Sequence, residues 1–331
     1  MIEARELSKT FFVHRKAPGL LASVRSLVRR EKVAKEAVKR ISFEVGEGEV
    51  VGLVGANGAG KTTVVKMLAG VIHPTSGEAR VLGYVPWRRD NRFRRQIALI
   101  MGQKAQLWWD LPAADGFLLL REIYQVPPRL FDERLEKLAA LLEVEEELTT
   151  QVRRLSLGER MKMELIAALL HEPRTVFLDE PTIGLDLSAQ RAIRDFILAY
   201  RREHRPAMLV TSHYMEDIER LCERILILRR GELVYDGSLA SVVERYARYK
   251  TITVHLAPGA PPLPAAGELG LPGRVLSGSE SALSVEVPRR RVSEIAASLL
   301  QRFDVADLAI EEEAVGNIIE RIQRGEAEGP A

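Results

Sequence analysis

The sequence predicts an α/β domain built on a largely parallel sheet, followed by a small α+β appendage. Short apolar runs alternate with amphipathic helical patterns from residue 41 to about 240, the order expected of strands and helices wound into one layered core. A glycine-rich turn at 55–62 joins one apolar run to a helix, as phosphate-binding loops do. At 257–273 the composition shifts to APGAPPLPAAGELGLPG, too rich in Pro and Gly for a helix or a central strand.

Taken in order, 41–55 reads ISFEVGEGEVVGLVG, two strands around a Gly-rich turn, the second apolar enough for a buried position. The next segment, TVVKMLAGV at 63–71, has helical spacing. Buried strands are expected at 97–101, 175–178, 207–211 and 224–228, and helices at 132–143, 158–171, 188–203 and 214–222. The appendage should begin near residue 245. It contains alternating runs at 251–256 and 283–287, a helix at 290–302, a strand at 306–310 and a final helix at 314–323.

Composition narrows the class. The chain has 331 residues, 46% hydrophobic and 28% charged, ordinary for a globular protein of about two domains. Its 48 basic and 46 acidic residues leave a net charge of +2, so no global field calls for a nucleic-acid partner. No apolar run approaches the roughly 18 residues that cross a bilayer. The opening MIEARELSKT carries acids and no apolar core, unlike a secretory signal. A cytosolic location is expected, unless another chain holds the protein to a membrane. The single cysteine, Cys222, rules out an internal disulfide and reads as a small buried hydrophobe.

The chemistry is set by Gly55–Thr62, G-x-x-x-x-G-K-T, between a buried strand and a helix. Gly55, Gly58 and Gly60 allow the tight curl that aims several backbone N–H groups at one anion, and the helix N-terminus adds partial positive charge. Lys61 should reach the β- and γ-phosphates of a nucleotide, and Thr62 should bind Mg²⁺. Asn57, Ala59 and Thr63 complete the ligand-facing set. Downstream, TVFLDE at 175–180 is an apolar strand ending in two carboxylates. Asp179 fits the metal, and Glu180, one step further out, fits the polarisation of an attacking water.

Between these motifs, 155–159 reads LSLGE, which resembles the LSGGQ signature of ABC nucleotide-binding domains, with Leu157 and Glu159 in place of the usual Gly and Gln. The family's other motifs follow in order: Gln103 as the Q-loop glutamine, PTIGLD ending in Asp186 as the D-loop, and His213 in TSHYMED as the switch histidine. The resemblance covers about residues 1–240. It implies a P-loop core of ABC type with a helical subdomain at about 104–170, in a domain of residues 1–244, with 245–331 as an accessory domain. It also implies ATP and Mg²⁺ as ligands, ATPase activity, and a head-to-tail dimer, homomeric or heteromeric. In that dimer Ser156, Gly158 and Glu159 of one copy face the nucleotide on the other. Gln103 would contact the metal or water, and His213 the γ-phosphate. Integral membrane permease subunits would be the partners, which places the chain at the cytoplasmic face of the cell membrane. The family's adenine-stacking aromatic falls in LSKTFFVHR. Phe11 or Phe12 is the candidate; neighbouring strand residues face opposite ways, so one of them serves, Phe11 being favoured, and the other would be core.

Departures from the pattern are informative. About two dozen extra residues, 14–39, follow that aromatic. Leu20, Leu21, Val24, Leu27 and Val28 form a helical stripe with Arg25, Arg29, Arg30 and Lys32 elsewhere on the wheel. Such a helix either contacts anionic lipid or a partner, or caps its own domain. Trp108 and Trp109 open the helical subdomain, where one would line the groove that receives the permease or both would be core. The basic run 87–95 reads as a solvated face. The combination GLD, GQKAQLWWDLP and the helix after the signature resembles ATPases of the type 2 ABC exporter group, which implies export. The competing class is a soluble ABC-type ATPase of nucleic-acid or ribosome metabolism. Its DNA-repair members carry a long coiled coil and its translation members two nucleotide domains, and this sequence has neither feature.

Overall fold

The computed structural model describes residues 1–14, 32–102, 104–261, 273–279 and 281–326. Contacts divide the chain into two compact units, Met1–Gly237 and Ser238–Ala331.

In the first unit a six-stranded sheet has the order β5-β6-β7-β3-β8-β9, from β3 (Val50–Gly55), β5 (Ile97–Met101), β6 (Thr175–Asp179), β7 (Ala207–Thr211), β8 (Arg224–Arg229) and β9 (Glu232–Ser238). The pairs β5–β6, β6–β7, β7–β3 and β3–β8 are parallel. Parallel strands are covered on both faces, so they read as unbroken apolar runs. Every residue of β3, β6 and β7 is buried. A second, antiparallel sheet, β2-β1-β4, is made by β1 (Ile2–His14), β2 (Lys32–Val45) and β4 (Ser76–Val81). The two strands expected in 41–55 therefore belong to different sheets.

Helix α1 (Lys61–Leu68) packs Val64, Val65, Met67 and Leu68 into one cluster with Ile2, Leu7, Ile41 and Phe43 of the antiparallel sheet and Leu53, Phe177 and Leu226 of the parallel one. Each such side chain contributes about 2 kcal/mol by leaving water. After α2 (Asn91–Arg94) come α3 (Ala113–Tyr124), α4 (Pro128–Leu142), α5 (Leu157–Leu169), α6 (Leu187–His204) and α7 (Met215–Leu221). Pro at the first helical position starts α4, and a capping box starts α5. Cys222 is buried, and burial pushes its thiol up to about 12.

Several expectations change. Phe12 is 66% exposed rather than core. Among the described residues the strand beyond Thr10 pairs with β2 alone, as a two-stranded ribbon, and no second layer covers Phe12. Residues 32–39 of the insertion extend β2, whereas 15–31, which carry the expected basic helix, lie outside the described residues. Trp108 and Trp109 are both about half exposed, so neither is core; Arg160 lies over the Trp109 ring at 5.2 Å. In the basic run 87–95, Phe93 turns inward and is fully buried while most of the arginines stay in water. Among the described residues, no helix is long and apolar enough to cross a membrane.

The second unit starts at α8 (Leu239–Tyr246) rather than near 245, because α8 packs on α10 (Val315–Arg324). Its antiparallel sheet, β11-β12-β10-β13, uses β10 (Tyr249–Leu256), β11 (Arg274–Gly278), β12 (Ala282–Pro288) and β13 (Val305–Glu312). Alternation puts Ile252, Val254, Leu283, Val285 and Val287 on one face, against Ile295 and Leu299 of α9 (Val292–Arg302).

Candidate nucleotide site

In open α/β sheets ligands bind beyond the C-terminal ends of the strands. Here the ends of β3, β6 and β7 lie side by side. The β3 end turns into α1 through 55–60. Gly60 is the N-cap of α1, at φ 114°, and offers no side-chain acceptor to the first helical turn. The N–H groups there are left for an anion. A Cβ on Gly60 would stand 2.4 Å from the Ala37 carbonyl, and Gly58 has φ 79°. Gly55 is needed for a different reason: its backbone is not left-handed, but a Cβ would stand 2.6 Å from the Leu228 carbonyl.

Lys61 is buried, and its Nζ donates to the Gly55 carbonyl at 2.6 Å and the Ala56 carbonyl at 3.4 Å. Burial lowers its pKa, and the nearby Glu180 and Asp179 carboxylates oppose that shift. Asp179 is 6% exposed, and its Oδ1 accepts the Thr62 hydroxyl at 3.2 Å and the Thr211 hydroxyl at 2.7 Å. Glu180, at φ 58°, follows in left-handed backbone, with its N–H donating to the Thr211 carbonyl at 3.0 Å. Its Oε1 is 2.7 Å from His213 Nε2. Two consecutive carboxylates at the end of β6 are thus held differently: one buried among hydroxyls, the other against an imidazole.

A cavity of about 400 Å³ is lined by Phe11, Lys35, Ala37, residues 57–63 and Glu180. A neighbouring one of about 410 Å³ shares Asn57, Thr62 and Glu180 with it and adds Asp179 and His213. Phe11 is 38% exposed beside the loop, with Lys9 Nζ 5.2 Å from its ring centroid. A larger cavity, about 670 Å³, lies in the second unit, where Arg274, Arg321 and Arg324 are interleaved with Glu286, Glu313 and Glu320. It has no phosphate loop and no surplus of cations, so chemistry rather than size selects the first two.

The structure does not bring every candidate to this cleft. Ser156, Gly158, Glu159 and Asp186 line neither cavity. Ser156 is the exposed N-cap of α5: its hydroxyl accepts the Glu159 N–H at 3.2 Å while the Glu159 carboxylate accepts the Ser156 N–H at 2.8 Å. Asp186 caps α6 by accepting the Ala189 N–H at 2.8 Å. Gln103 lies outside the described residues. Sequence reasoning missed Lys35, Ala37, Gly102 and Thr211. Of these only Thr211 carried a signal, as the polar end of an apolar strand leading into Ser212 and His213.

The chain matches the ABC transporter family over residues 38–183 and the EvrA-like ABC transporter C-terminal domain over 248–311. It is 32% identical over 215 residues to the ABC transporter ATP-binding protein NatA of Bacillus subtilis, covering 65% of this chain and 87% of that one. To the Nod factor export ATP-binding protein I of a Rhizobium species it is 31% identical over 223 residues, 66% of this chain and 72% of that one. A solved structure described as the ATP binding subunit of an ABC transporter superposes with a TM-score of 0.61 at 25% identity, covering 73% of this chain and 92% of that one. The chain belongs to the ABC transporter ATP-binding proteins and is an ATP-binding, ATP-hydrolysing subunit of such a transporter.

Proposed function

We propose that ATP lies along the cleft between Phe11 and the phosphate loop and is hydrolysed by water directed from Glu180. Phe11 stacks on the adenine, and the N–H groups of 57–63 with Lys61 hold the β- and γ-phosphates. The observation that carries the reading is the Glu180–His213 pair, 2.7 Å apart, at the wall of the cavity formed by the loop. With one carboxylate oxygen engaged by the imidazole, the other is available to a water. As the water oxygen bonds to the γ-phosphorus, the bond to the bridging oxygen breaks, ADP leaves, and Glu180 takes the water's proton. His213 orients Glu180 and donates toward the γ-phosphate; Gln103 acts beside the metal and the water.

The donor set at Thr62 and Asp179 suits Mg²⁺, a hard cation that takes a hydroxyl, a carboxylate and substrate phosphates rather than an all-protein cage. When bound, Mg²⁺ would neutralise charge on the phosphates. Among the described residues no cluster of three or more His, Cys, Asp or Glu forms a metal site of its own, which suits a metal delivered with nucleotide.

Ser156, Gly158, Glu159 and Asp186 act across the interface of two cassettes, identical or different. The exposure of Ser156 and Asp186 and the absence of all four from both cavities support this, as does the helix N-terminus that Ser156 presents. The subunit works at the cytoplasmic face of a membrane beneath integral permease subunits. The exposed Trp108, Trp109, Leu118 and Leu119 of the helical region suit that docking. The insertion 14–39 would add contact with anionic lipid. Export is the direction, supported by the likeness to a protein named for Nod factor export. Glu180→Gln tests the core of this reading. ATP binding should persist while turnover falls about 100-fold or more, and normal turnover would remove Glu180 from the role of base.

A further inference from the structure

Beneath the cleft lies a polar network with no place in the roles above. Arg194 on α6 and Asp217 on α7 are both completely buried, with Arg194 Nε 3.3 Å from Asp217 Oδ1. Glu216 holds the outer edge of the same guanidinium, and the Gln190 carbonyl accepts from Nε at 3.2 Å. The other Asp217 oxygen, Oδ2, accepts two hydroxyls: Thr182, from the turn after β6, and Ser212 at 2.6 Å, from the turn after β7. Ser212 Oγ in turn accepts the Tyr214 N–H at 3.0 Å, closing a turn whose middle residue is His213. Thr182 is two residues past Glu180, and α6 begins at Asp186.

A buried ion pair is a poor source of net stability, because desolvation offsets most of its attraction. Hydrogen bonds from two segments to one buried carboxylate oxygen instead favour a single arrangement of those segments. We infer that Asp217, neutralised by Arg194, is a positioning residue for hydrolysis, which through Ser212 and Thr182 locks the His213 turn against the Glu180 turn. The Glu180 N–H to Thr211 carbonyl bond ties the two strand ends together, and past those ends Asp217 Oδ2 is the atom that Thr182 of one turn and Ser212 of the other share. The inference rests on the reading of Glu180 and His213 given above.

The test uses the full chain. Ser212→Ala removes the hydroxyl and leaves Asp217 its other partners; Thr182→Val removes the second with little change of shape, and Thr182→Ser restores it. Steady-state phosphate release should show kcat lower by about tenfold or more in Ser212→Ala and Thr182→Val, the scale of a misplaced catalytic group. Thr182→Ser should recover, and equilibrium binding of a fluorescent ATP analogue should stay within about twofold of wild type. In a His213→Ala background, Ser212→Ala should cost almost nothing further, because its effect passes through His213. Wild-type kcat in both hydroxyl-deleted variants, or an equal loss with and without His213, would overturn the inference. The underlying site reading fails separately, if Lys61→Ala binds the analogue as tightly as wild type.

Discussion

Gly102 has no reactive group, yet replacing it should be among the most damaging single changes. It follows β5 and donates its N–H to the Asp179 carbonyl at 2.9 Å. A Cβ built there would stand 2.1 Å from the Glu180 carbonyl oxygen and 3.0 Å from Ile183 Cγ2. Non-bonded carbon and oxygen do not approach closer than about 3 Å, so Gly102→Ala must displace the Glu180 backbone by about 1 Å. The strain should cost about 1–3 kcal/mol, a fall of a few degrees in Tm for a chain of this size. The catalytic effect should be larger, since a shift of about 1 Å costs about 100-fold in rate. Glu180 also carries the contact to His213, so both groups move together. The assay pairs steady-state ATPase activity with equilibrium ATP binding. Binding should change less than about threefold, because the phosphate loop lies on β3 and α1. A folded Gly102→Ala chain with wild-type kcat would refute the close coupling of β5 to the Glu180 backbone. Loss of binding equal to loss of rate would show instead that the loop itself had collapsed.

Other outcomes follow from the same geometry. Lys61→Ala should weaken ATP binding by about 10- to 100-fold, the worth of hydrogen bonds to a charged group; isothermal titration with unchanged affinity would count against the phosphate-loop assignment. Phe11→Ala should cost about tenfold in ATP affinity, the low end of base stacking, while Phe12→Ala, already exposed, should leave it unchanged; the opposite pattern would exchange their roles. His171 predicts an acid-sensitive fold. Its Nε2 donates to the Ile97 carbonyl at 3.1 Å, its Nδ1 is buried with no hydrogen-bond partner, and burial lowers its pKa to about 4. Because the native value lies below the unfolded one near 6.5, the unfolded chain takes up the proton first. The stabilisation is full above pH 6.5 and is lost as pH falls toward 4, by up to about 3 kcal/mol. Urea unfolding at several pH values should show a shallower acid dependence in His171→Gln; equal slopes would contradict this.

Local, strongly patterned features were legible in the sequence. β5 and β7 occupy the residues expected, because uninterrupted apolar runs between polar ends have one reading, and α6 matches its stripe to within a residue at each end. Features set by distant contacts were not legible. The glycine at 55 looks like a turn residue and is required by the carbonyl of Leu228, far along the chain. Thr211 and Gly102 act on Asp179 and Glu180 only because β5, β6 and β7 are neighbours in the sheet, an order no local pattern states. Phe12 was misplaced because alternation gives the side a residue faces, not whether a second layer exists there. Glu159 departed from the signature pattern, and the structure gives it a local reason: S-L-G-E is also a capping box.

Sedimentation velocity of Glu180→Gln with and without ATP probes the two-copy site most directly. The chain should pair when nucleotide is added and return to single copies when it is removed, and the further change Ser156→Arg should abolish pairing while leaving ATP bound. Saturated, nucleotide-loaded protein that stays monomeric at every concentration, or pairs equally well with Arg at 156, would contradict the shared site.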